Sequence, residues 1–164
     1  ISVRAKSVDR FVGKAANLND DQKPKYDDPI NQIQDQIGAR VVTFYKSDLE
    51  AVSERLNEYL RPIETKHMVP ESEWEFGYFG RHYIFLLPVD VVPEGTPKEL
   101  VPRCLEMQVK TLFQHAWSEA NHDLGYKMIE HTLDPDDKRR LAYASAQAWG
   151  ADLAFEELHR KVSQ

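Results

Sequence analysis

Residues 104–111 read Cys-Leu-Glu-Met-Gln-Val-Lys-Thr, a stretch in which apolar and polar side chains alternate. This period of two predicts a β-strand with one apolar face and one polar face. The apolar face carries Leu105, Met107 and Val109, and the polar face carries Glu106, Gln108 and Lys110. A row of carboxylate, amide and ammonium groups is common on a solvated sheet face, but it can also line a binding site. The surrounding sequence has to distinguish the two.

The segments around this strand favour one α+β domain with a central mixed β-sheet flanked by helices. Further strands are predicted over residues 39–45, 63–69 and 83–87, which are rich in β-branched and aromatic residues. Helices are predicted over residues 3–16 and 29–36, from a Ser47-x-x-Glu50 capping box to residue 60, and from residue 112 to about Gly125. A long C-terminal helix within residues 130–164 follows the cap Asp134-Pro135, and its expected buried seam is Leu141, Ala144, Ala148, Ala151, Phe155 and Leu158.

Length and composition bound the class of protein. The 164 residues suit a single domain, and the lone Cys104 excludes a disulfide framework and a cysteine-rich zinc site. No apolar run reaches the 18 or so residues of a membrane span, so we expect no membrane partner. Because the chain begins at Ile1 without a leader-like sequence, we expect residues 1–164 to be a domain excised from a longer chain.

Charge is distributed unevenly along the chain. The net charge of −6 disfavours binding to a long nucleic acid, which requires many contacts to phosphates. The first fourteen residues nevertheless contain Arg4, Lys6, Arg10 and Lys14 against only Asp9. On the predicted first helix, the last three of these cations would share one face, as expected of a site for a small phosphorylated ligand.

Three other segments carry groups that could form a site with the polar strand. His115, Glu119 and His122 recur at helical spacing, which is compatible with helix surface polarity or a binding face but lacks the H-E-x-x-H order of a zinc protease. Asp35 precedes a predicted strand and could hold Mg²⁺. The glycine-rich residues 77–82 could simply form a hairpin, or could expose Tyr78 and His82 for stacking on a purine.

Taken in order, these segments resemble the synthetase domain of the RelA/SpoT family, which makes (p)ppGpp. The matching motifs are R-x-K-S at residues 4–7, D-x-x-G-x-R-V at 35–41, G-Y-x-x-x-H at 77–82 and E-x-Q-x-[RK]-T at 106–111. The run H-x-W-x-E-x-x-H-x-x-x-Y-K at residues 115–127 is most similar to the small single-domain alarmone synthetases. The resemblance covers residues 1 to about 130.

This resemblance implies a nucleotidyltransferase-like fold and transfer of the β,γ-pyrophosphate of ATP to the 3′-hydroxyl of a purine nucleotide. It implies that Asp35 and Glu106 hold Mg²⁺, or Mn²⁺ in its place, and that Glu106 also takes the proton of the hydroxyl. The ATP-binding residues it implies are Arg4 and Arg40 on the adenine and Lys6 and Arg10 on the phosphates. For the acceptor it implies stacking on Tyr78 and positioning by His82, Gln108, Lys110, His115 and Glu119.

The acceptor itself stays open because the chain departs from the family pattern on that side. Family members commonly carry Pro-Lys-x-Asn before the G-Y loop and Arg-Ser within it, whereas this chain has Glu-Trp-Glu-Phe at 73–76 and Phe-Gly at 79–80. GDP or GTP is the family's usual acceptor, and AMP, ADP, ATP or the 3′ end of tRNA are the acceptors of its toxins. A toxin would imply an immunity or antitoxin protein as partner, and delivery as a secreted effector into the bacterial cytoplasm, where either enzyme would act. The non-enzymatic alternative, a degenerate regulatory module, should lack Asp35 or Glu106, and both are present.

Overall fold

A computed structural model describes residues 1–67, 76–78, 80–127 and 133–163 of the chain. Five strands form one sheet in the order β1-β2-β5-β4-β3. They are β1 (Ser2–Ala5), β2 (Ile37–Thr43), β3 (Glu64–His67), β4 (Arg81–Leu86) and β5 (Cys104–Thr111). The central pair β2 and β5 is parallel, and the other pairs are antiparallel. The predicted mixed sheet is confirmed, and the bounds predicted for residues 104–111 match β5.

Five helices surround this sheet: α1 (Val8–Ala15), α2 (Pro29–Gln32), α3 (Lys46–Tyr59), α4 (Leu112–Lys127) and α5 (Pro135–Val162). Two short 3₁₀ turns, Val89–Val91 and Lys98–Leu100, lie between β4 and β5. Helices α3 and α4 follow the two parallel strands, so both begin at the same edge of the sheet. Among the described residues, no helix is long and apolar enough to cross a membrane.

The N-terminal segment differs from the predicted helix over residues 3–16. Residues 2–5 pair with β2 as an antiparallel edge strand, and the helix begins only after Ser7, whose side chain accepts a hydrogen bond from the Arg10 backbone N–H. Arg4 therefore lies on a strand, and Lys6 lies between strand and helix. The helix was predicted to begin too early because pairing with a distant strand overrides local propensity in residues 2–5, whereas Arg10 and Lys14 lie on α1 as predicted.

The hydrophobic core lies on one face of the sheet, under α3. Its buried members are Leu49, Tyr83, Phe85 and Val109, against which Val41, Val52, Leu56, Leu105 and Met107 pack. The apolar face predicted for β5 is therefore confirmed. The opposite face of the sheet is left for polar side chains.

Helix α5 buries polar residues, and the predicted seam is only partly covered, with Leu141, Ala148 and Ala151 half-buried. Phe155 and Leu158 are 50% and 57% exposed, whereas Ser145, Asp152 and Glu156 are buried. The reason is that α5 packs against α4 and near the start of α3, where backbone N–H groups and hydroxyls need acceptors.

Glu156 replaces the predicted capping box of α3. Ser47 lies inside the helix, and its backbone N–H and hydroxyl both donate to Oε2 of Glu156, at 3.0 and 3.1 Å. Glu50 pairs instead with Arg81 of β4. The hydrogen bond from the Ser47 backbone is the largest influence on the pKa of Glu156 and lowers it below the ordinary value, although burial opposes this. The start of α3 is thus held by a carboxylate from the far end of the chain.

Helix α4 has a capping box that the sequence analysis overlooked. The Thr111 hydroxyl accepts from the Gln114 backbone N–H at 3.1 Å, and the Gln114 amide oxygen accepts from the Thr111 backbone N–H at 2.9 Å. This turns Gln114 and Ser118 inward and leaves Leu112 and Leu124 exposed. The helix also continues past Gly125, which was expected to end it.

We expect Glu156→Gln to lower the free energy of unfolding by about 1–3 kcal/mol at pH 7, because it weakens charged hydrogen bonds at a partly buried helix start. The pKa of Glu156 is depressed in the folded state, so its contribution is present above the ordinary value of 4.5 and is lost as the pH falls through the lower folded value. Urea titrations from pH 7 to pH 3 measure this difference. Glu157→Gln, on the exposed side of α5, is the control. A difference that stays constant with pH would contradict the role given to the charge.

Candidate active site

The register of the strands aligns polar residues in rows across the face of the sheet opposite the core. Arg40 of β2 lies opposite Gln108 of β5, which in turn lies opposite His82 of β4. In the next row, Arg4 lies opposite Gly38, and Gly38 lies opposite Glu106. The alternative of a solvated face does not hold for β5, because Lys110 is only 5% exposed and Glu106 is partly buried. The predicted polar face of β5 is the centre of a cleft.

Asp35 lies just before β2 and is held by two ammonium groups. Nζ of Lys6 lies 2.9 Å from Oδ2, and Nζ of Lys14, in the last turn of α1, lies 2.9 Å from Oδ1. Burial raises the pKa of Asp35, but the hydrogen bonds and charges of the two lysines outweigh it and hold the pKa below the ordinary value. Asp35 is therefore ionised near neutrality. Lys14 was counted among the N-terminal cations but was not predicted as a site residue.

Glu106 has a partner at each carboxylate oxygen. His82 Nδ1 lies 2.9 Å from Oε1, and the Gln108 amide donates to Oε2 at 3.3 Å. Burial and the nearby charge of Asp35 raise the pKa of Glu106, but His82 and Gln108 prevail and lower it. His82 lies on β4 and is partly buried, so its expected position as an exposed loop aromatic is wrong, although it does lie in the site.

Arg40 joins strand β2 to helix α4. Its Nη2 lies 2.9 Å from Oε1 of Glu119, and its Nη1 lies 3.2 Å from Nδ1 of His115. Burial and the positive charge of Arg40 both lower the pKa of His115, so its imidazole is neutral at pH 7 and can accept a hydrogen bond. The resemblance in sequence implies that Arg40 contacts ATP and that His115 and Glu119 contact the acceptor. The structure places all three in one cluster.

Lys110 is the most deeply buried cation of the cleft among the described residues. Its Nζ donates to the Ser118 hydroxyl at 2.9 Å. Burial and the charge of Arg40 lower its pKa to about 8, while Glu119 and Glu106 oppose the shift. Its charge therefore changes close to physiological pH.

Tyr78 differs most from its predicted setting. It is 8% exposed, and its hydroxyl donates to Oδ2 of Asp152 at 2.5 Å. The expectation of an exposed loop aromatic is wrong, and stacking of a base on Tyr78 stays a prediction. A Cβ at the neighbouring Gly80 would overlap the Lys110 side chain and the Val109 carbonyl, so glycine permits a close approach to β5 there. Of the segment that departs from the family pattern, residues 73–75 and 79 lie outside the described residues.

Several of these side chains line two neighbouring cavities. One, of about 240 Å³, contains Asp35 and Glu106 together with Lys6. The other, of about 400 Å³, contains Arg40, Gln108, Lys110 and Glu119 and extends to His122 and Asp123. Arg4 and Arg10 line both cavities. Two adjacent cavities with shared guanidinium groups suit two anionic ligands.

The two carboxylates of the smaller cavity fit a magnesium ion. Mg²⁺ is commonly held by one or two carboxylates and completes its shell with water and substrate phosphates. Asp35 and Glu106 are ionised, line the same cavity and repel each other, which a divalent cation would relieve. Among the described residues, no group of three or more His, Cys, Asp or Glu side chains could hold a metal, so nothing there supports a zinc site on α4.

Most of the chain, including the residues of this cleft, matches one known protein family in sequence. The model of the region found in RelA/SpoT proteins matches residues 3–131. The chain belongs to the RelA/SpoT family. The matched region contains every site residue predicted from the sequence but ends before α5, which supplies Asp152 and Glu156.

Individual members of the RelA/SpoT family resemble the chain in sequence and in fold. GTP pyrophosphokinase YjbM of Bacillus subtilis is 28% identical over 137 residues, which cover 82% of this chain. The match spans only 62% of that relative's length. Small alarmone synthetase 1 of B. subtilis bound to its product pppGpp aligns with a TM-score of 0.77 and 24% identity, over 99% of this chain and 79% of that one. The same synthetase bound to AMPCPP aligns with a TM-score of 0.70 and 22% identity, over 99% and 76%. These likenesses establish the fold.

We expect Lys110 of this RelA/SpoT domain to lose its proton near pH 8, below the usual lysine range, because it is buried beside Arg40. Side-chain NMR of labelled lysines through a pH titration measures this, with Lys110→Arg assigning the resonance. Arg40→Gln should raise the pKa, since it removes a like charge, and Glu119→Gln should lower it. A lowered pKa in Arg40→Gln, or a raised pKa in Glu119→Gln, would show that the charge cluster is wrongly described.

Proposed function

We propose that this domain transfers the β,γ-pyrophosphate of ATP to the 3′-hydroxyl of a guanosine nucleotide, GDP or GTP. The observation that carries the proposal is the ionised Glu106, oriented by His82 and Gln108 in a cleft where two cavities share Arg4 and Arg10. A nucleotide hydroxyl is a weak nucleophile at neutral pH, and a positioned carboxylate is the group it needs.

The smaller cavity suits the triphosphate of the donor. Asp35 is paired with Lys6 and Lys14, and Arg10 lines the same cavity. Cations and carboxylates therefore lie side by side there. In phosphoryl-type transfer, most of the catalysis is positioning and neutralisation of phosphate charge, which this arrangement supplies. Mg²⁺ held by Asp35 and Glu106 would add charge neutralisation and alignment of the phosphates.

In the reaction, Glu106 accepts the proton of the 3′-hydroxyl as the oxygen attacks the β-phosphorus of ATP. The bond between the α,β-bridging oxygen and the β-phosphorus breaks, AMP leaves, and the acceptor carries a 3′-diphosphate. The proton passes from Glu106 to solvent. His82 and Gln108 keep the carboxylate ionised and pointed at the hydroxyl because each occupies one of its oxygens.

The larger cavity suits the acceptor because its volume of about 400 Å³ is lined by both cations and hydrogen-bonding groups. Guanosine acceptors are favoured by the relatives, of which one is named a GTP pyrophosphokinase and another was solved with pppGpp. ATP as donor is favoured by the related structure that holds AMPCPP, an ATP analogue.

The deciding experiment incubates the purified domain with ATP labelled at the γ-phosphate and one acceptor at a time. We expect labelled 3′-diphosphates from GDP or GTP, with equimolar AMP, resolved by anion exchange and mass spectrometry. Glu106→Gln should lower the rate by roughly 10²–10⁴, because it keeps the shape but removes the base. Glu157→Gln, an exposed carboxylate on α5, is the matched control and should keep the wild-type rate.

Each outcome has a definite meaning. Product from ATP alone, or from AMP and ADP but not from GDP, would show that the acceptor is an adenosine nucleotide and not a guanosine nucleotide. Transfer only to the 3′ end of tRNA would show that the acceptor is tRNA and not a free nucleotide. Wild-type turnover in the Glu106→Gln variant would refute the proposed base.

We expect transfer to require Mg²⁺ or Mn²⁺ because the proposed ligands are carboxylate oxygens. EDTA should abolish turnover, and either ion added in excess should restore it. A chelator selective for zinc should have no effect, and stoichiometric zinc retained through purification would contradict the oxygen-ligand site.

A further inference from the structure

Asp152 of α5 is a buried carboxylate with an unusual set of partners. It is 1% exposed, and a single oxygen, Oδ2, accepts hydrogen bonds from the Tyr78 hydroxyl and the Thr111 hydroxyl, both at 2.5 Å. The other oxygen, Oδ1, is buried without a hydrogen-bond partner among the described residues. The described part of the chain also shows no ion pair to Asp152. Packing alone does not explain such a group, because a buried charge is costly.

The two hydroxyls held by Asp152 belong to segments that are distant from each other in sequence. Tyr78 precedes β4, the strand that carries His82. Thr111 ends β5 and caps α4 through Gln114. One carboxylate oxygen thereby ties the segment before β4 to the start of α4.

The first turns of α4 carry the groups that hold Arg40 and Lys110, two cations that line the larger cavity. His115 and Glu119 hold Arg40, and Ser118 accepts from Lys110. A rotation or shift of α4 at Thr111 would move these partners together, since they lie on one or two turns of the same helix. Asp152 fixes the Tyr78 phenol through the same oxygen.

We propose that Asp152 is a positioning residue, which orients Tyr78 and the first turn of α4 so that the acceptor cavity is formed before the nucleotide binds. This inference rests on the proposed function, because it assigns the larger cavity to the acceptor. It adds to the site a residue beyond the region matched by the family model, residues 3–131. It also explains why a carboxylate is used, since a charged acceptor makes stronger hydrogen bonds to two hydroxyls than an amide does.

Two variants of the full chain test the proposal, together with a matched control. Asp152→Asn keeps the size and removes the charge, and Tyr78→Phe removes only one of the donors. The control is Glu156→Gln, one turn further along α5, a buried carboxylate that holds α3 instead of α4. We expect Asp152→Asn and Tyr78→Phe each to raise the KM for the acceptor about tenfold and to change the KM for ATP less than about twofold, as a loss confined to one substrate. Glu156→Gln should lower the melting temperature and leave both KM values within about twofold of wild type.

A second measurement needs no catalytic activity. Burial and the hydrogen bond to Asp152 raise the pKa of the Tyr78 phenol above its ordinary value of 10.0. In protein labelled with ¹³C at the tyrosine ring carbon that bears the hydroxyl, the Tyr78 resonance, assigned by Tyr78→Phe, should titrate at lower pH in Asp152→Asn than in wild type. It should titrate in Glu156→Gln as it does in wild type.

The results separate this inference from the proposed function. If the wild type transfers pyrophosphate but Asp152→Asn lowers only the melting temperature, or affects both KM values equally, the positioning role is wrong. An unchanged Tyr78 titration in Asp152→Asn would also overturn it. If the wild type transfers to no acceptor, the proposed function fails, and calorimetric binding of GDP to the same variants then decides: weaker binding in Asp152→Asn but not in Glu156→Gln supports positioning, and equal binding or none overturns it.

Discussion

The parallel pairing of β2 with β5 is the constraint on which the rest of this structure depends. It sets Gly38 beside Glu106 and Arg40 beside Gln108, so residues almost seventy positions apart in sequence share one cleft. Parallel neighbours also end at the same edge of a sheet, and each is followed here by a helix. The start of each helix carries N–H groups that need acceptors, and both starts are therefore crowded into one region. Helix α5 supplies two carboxylates one turn apart: Glu156 accepts from the Ser47 backbone N–H of α3, and Asp152 accepts from the hydroxyl of Thr111, whose side chain caps α4.

Three charged groups of the cleft each contact two protein side chains in the absence of a ligand. Lys6 and Lys14 contact Asp35. His82 and Gln108 contact Glu106, and Glu119 and His115 contact Arg40. Removing one member of a partly buried pair leaves the other uncompensated, so single substitutions here affect both folding and binding. For the same reason, a change of activity alone does not assign a role to a residue in this cleft. Only a comparison of the two substrates, or of pKa values, separates the two effects.

Sequence patterns predicted those features that depend on neighbouring residues. The alternation over residues 104–111 located β5, its apolar face and its polar face, because side-chain period is a local property. The cap at Asp134 was predicted correctly for the same reason, since its side chain accepts from the Asp137 backbone three residues later. The Thr111 and Gln114 box was equally local, and the pattern T-x-x-Q would have revealed it. Lys14 as a partner of Asp35 could be suspected only from its place among the N-terminal cations.

The errors arose where the partner is distant in sequence. Residues 3–5 were included in the predicted first helix, but they belong to β1, which pairs with β2 about 35 positions away. Ser47 and Glu50 have the spacing of a capping box, yet Ser47 donates to a carboxylate 109 positions away. On α5 an apolar seam was expected, but Asp152 and Glu156 are buried, because they accept hydrogen bonds from residues that are distant in sequence. Each of these contacts forms only in the tertiary structure, and the neighbouring sequence carries no pattern that predicts it.

The shared residues of the cleft also argue against treating its two halves as independent sites. Arg4 and Arg10 line both cavities, and Arg40 is held by two groups on α4. A ligand that draws Arg40 toward its own atoms must weaken the contacts to Glu119 and His115, and it thereby changes the field at Lys110, whose pKa Arg40 lowers. Arg40 and Lys110 line the same larger cavity, so binding of a ligand to Arg40 is coupled to the protonation of Lys110, and by linkage the coupling is equal in both directions. An arginine suits this bridging position better than a lysine, because its planar guanidinium can hold one partner with each terminal nitrogen.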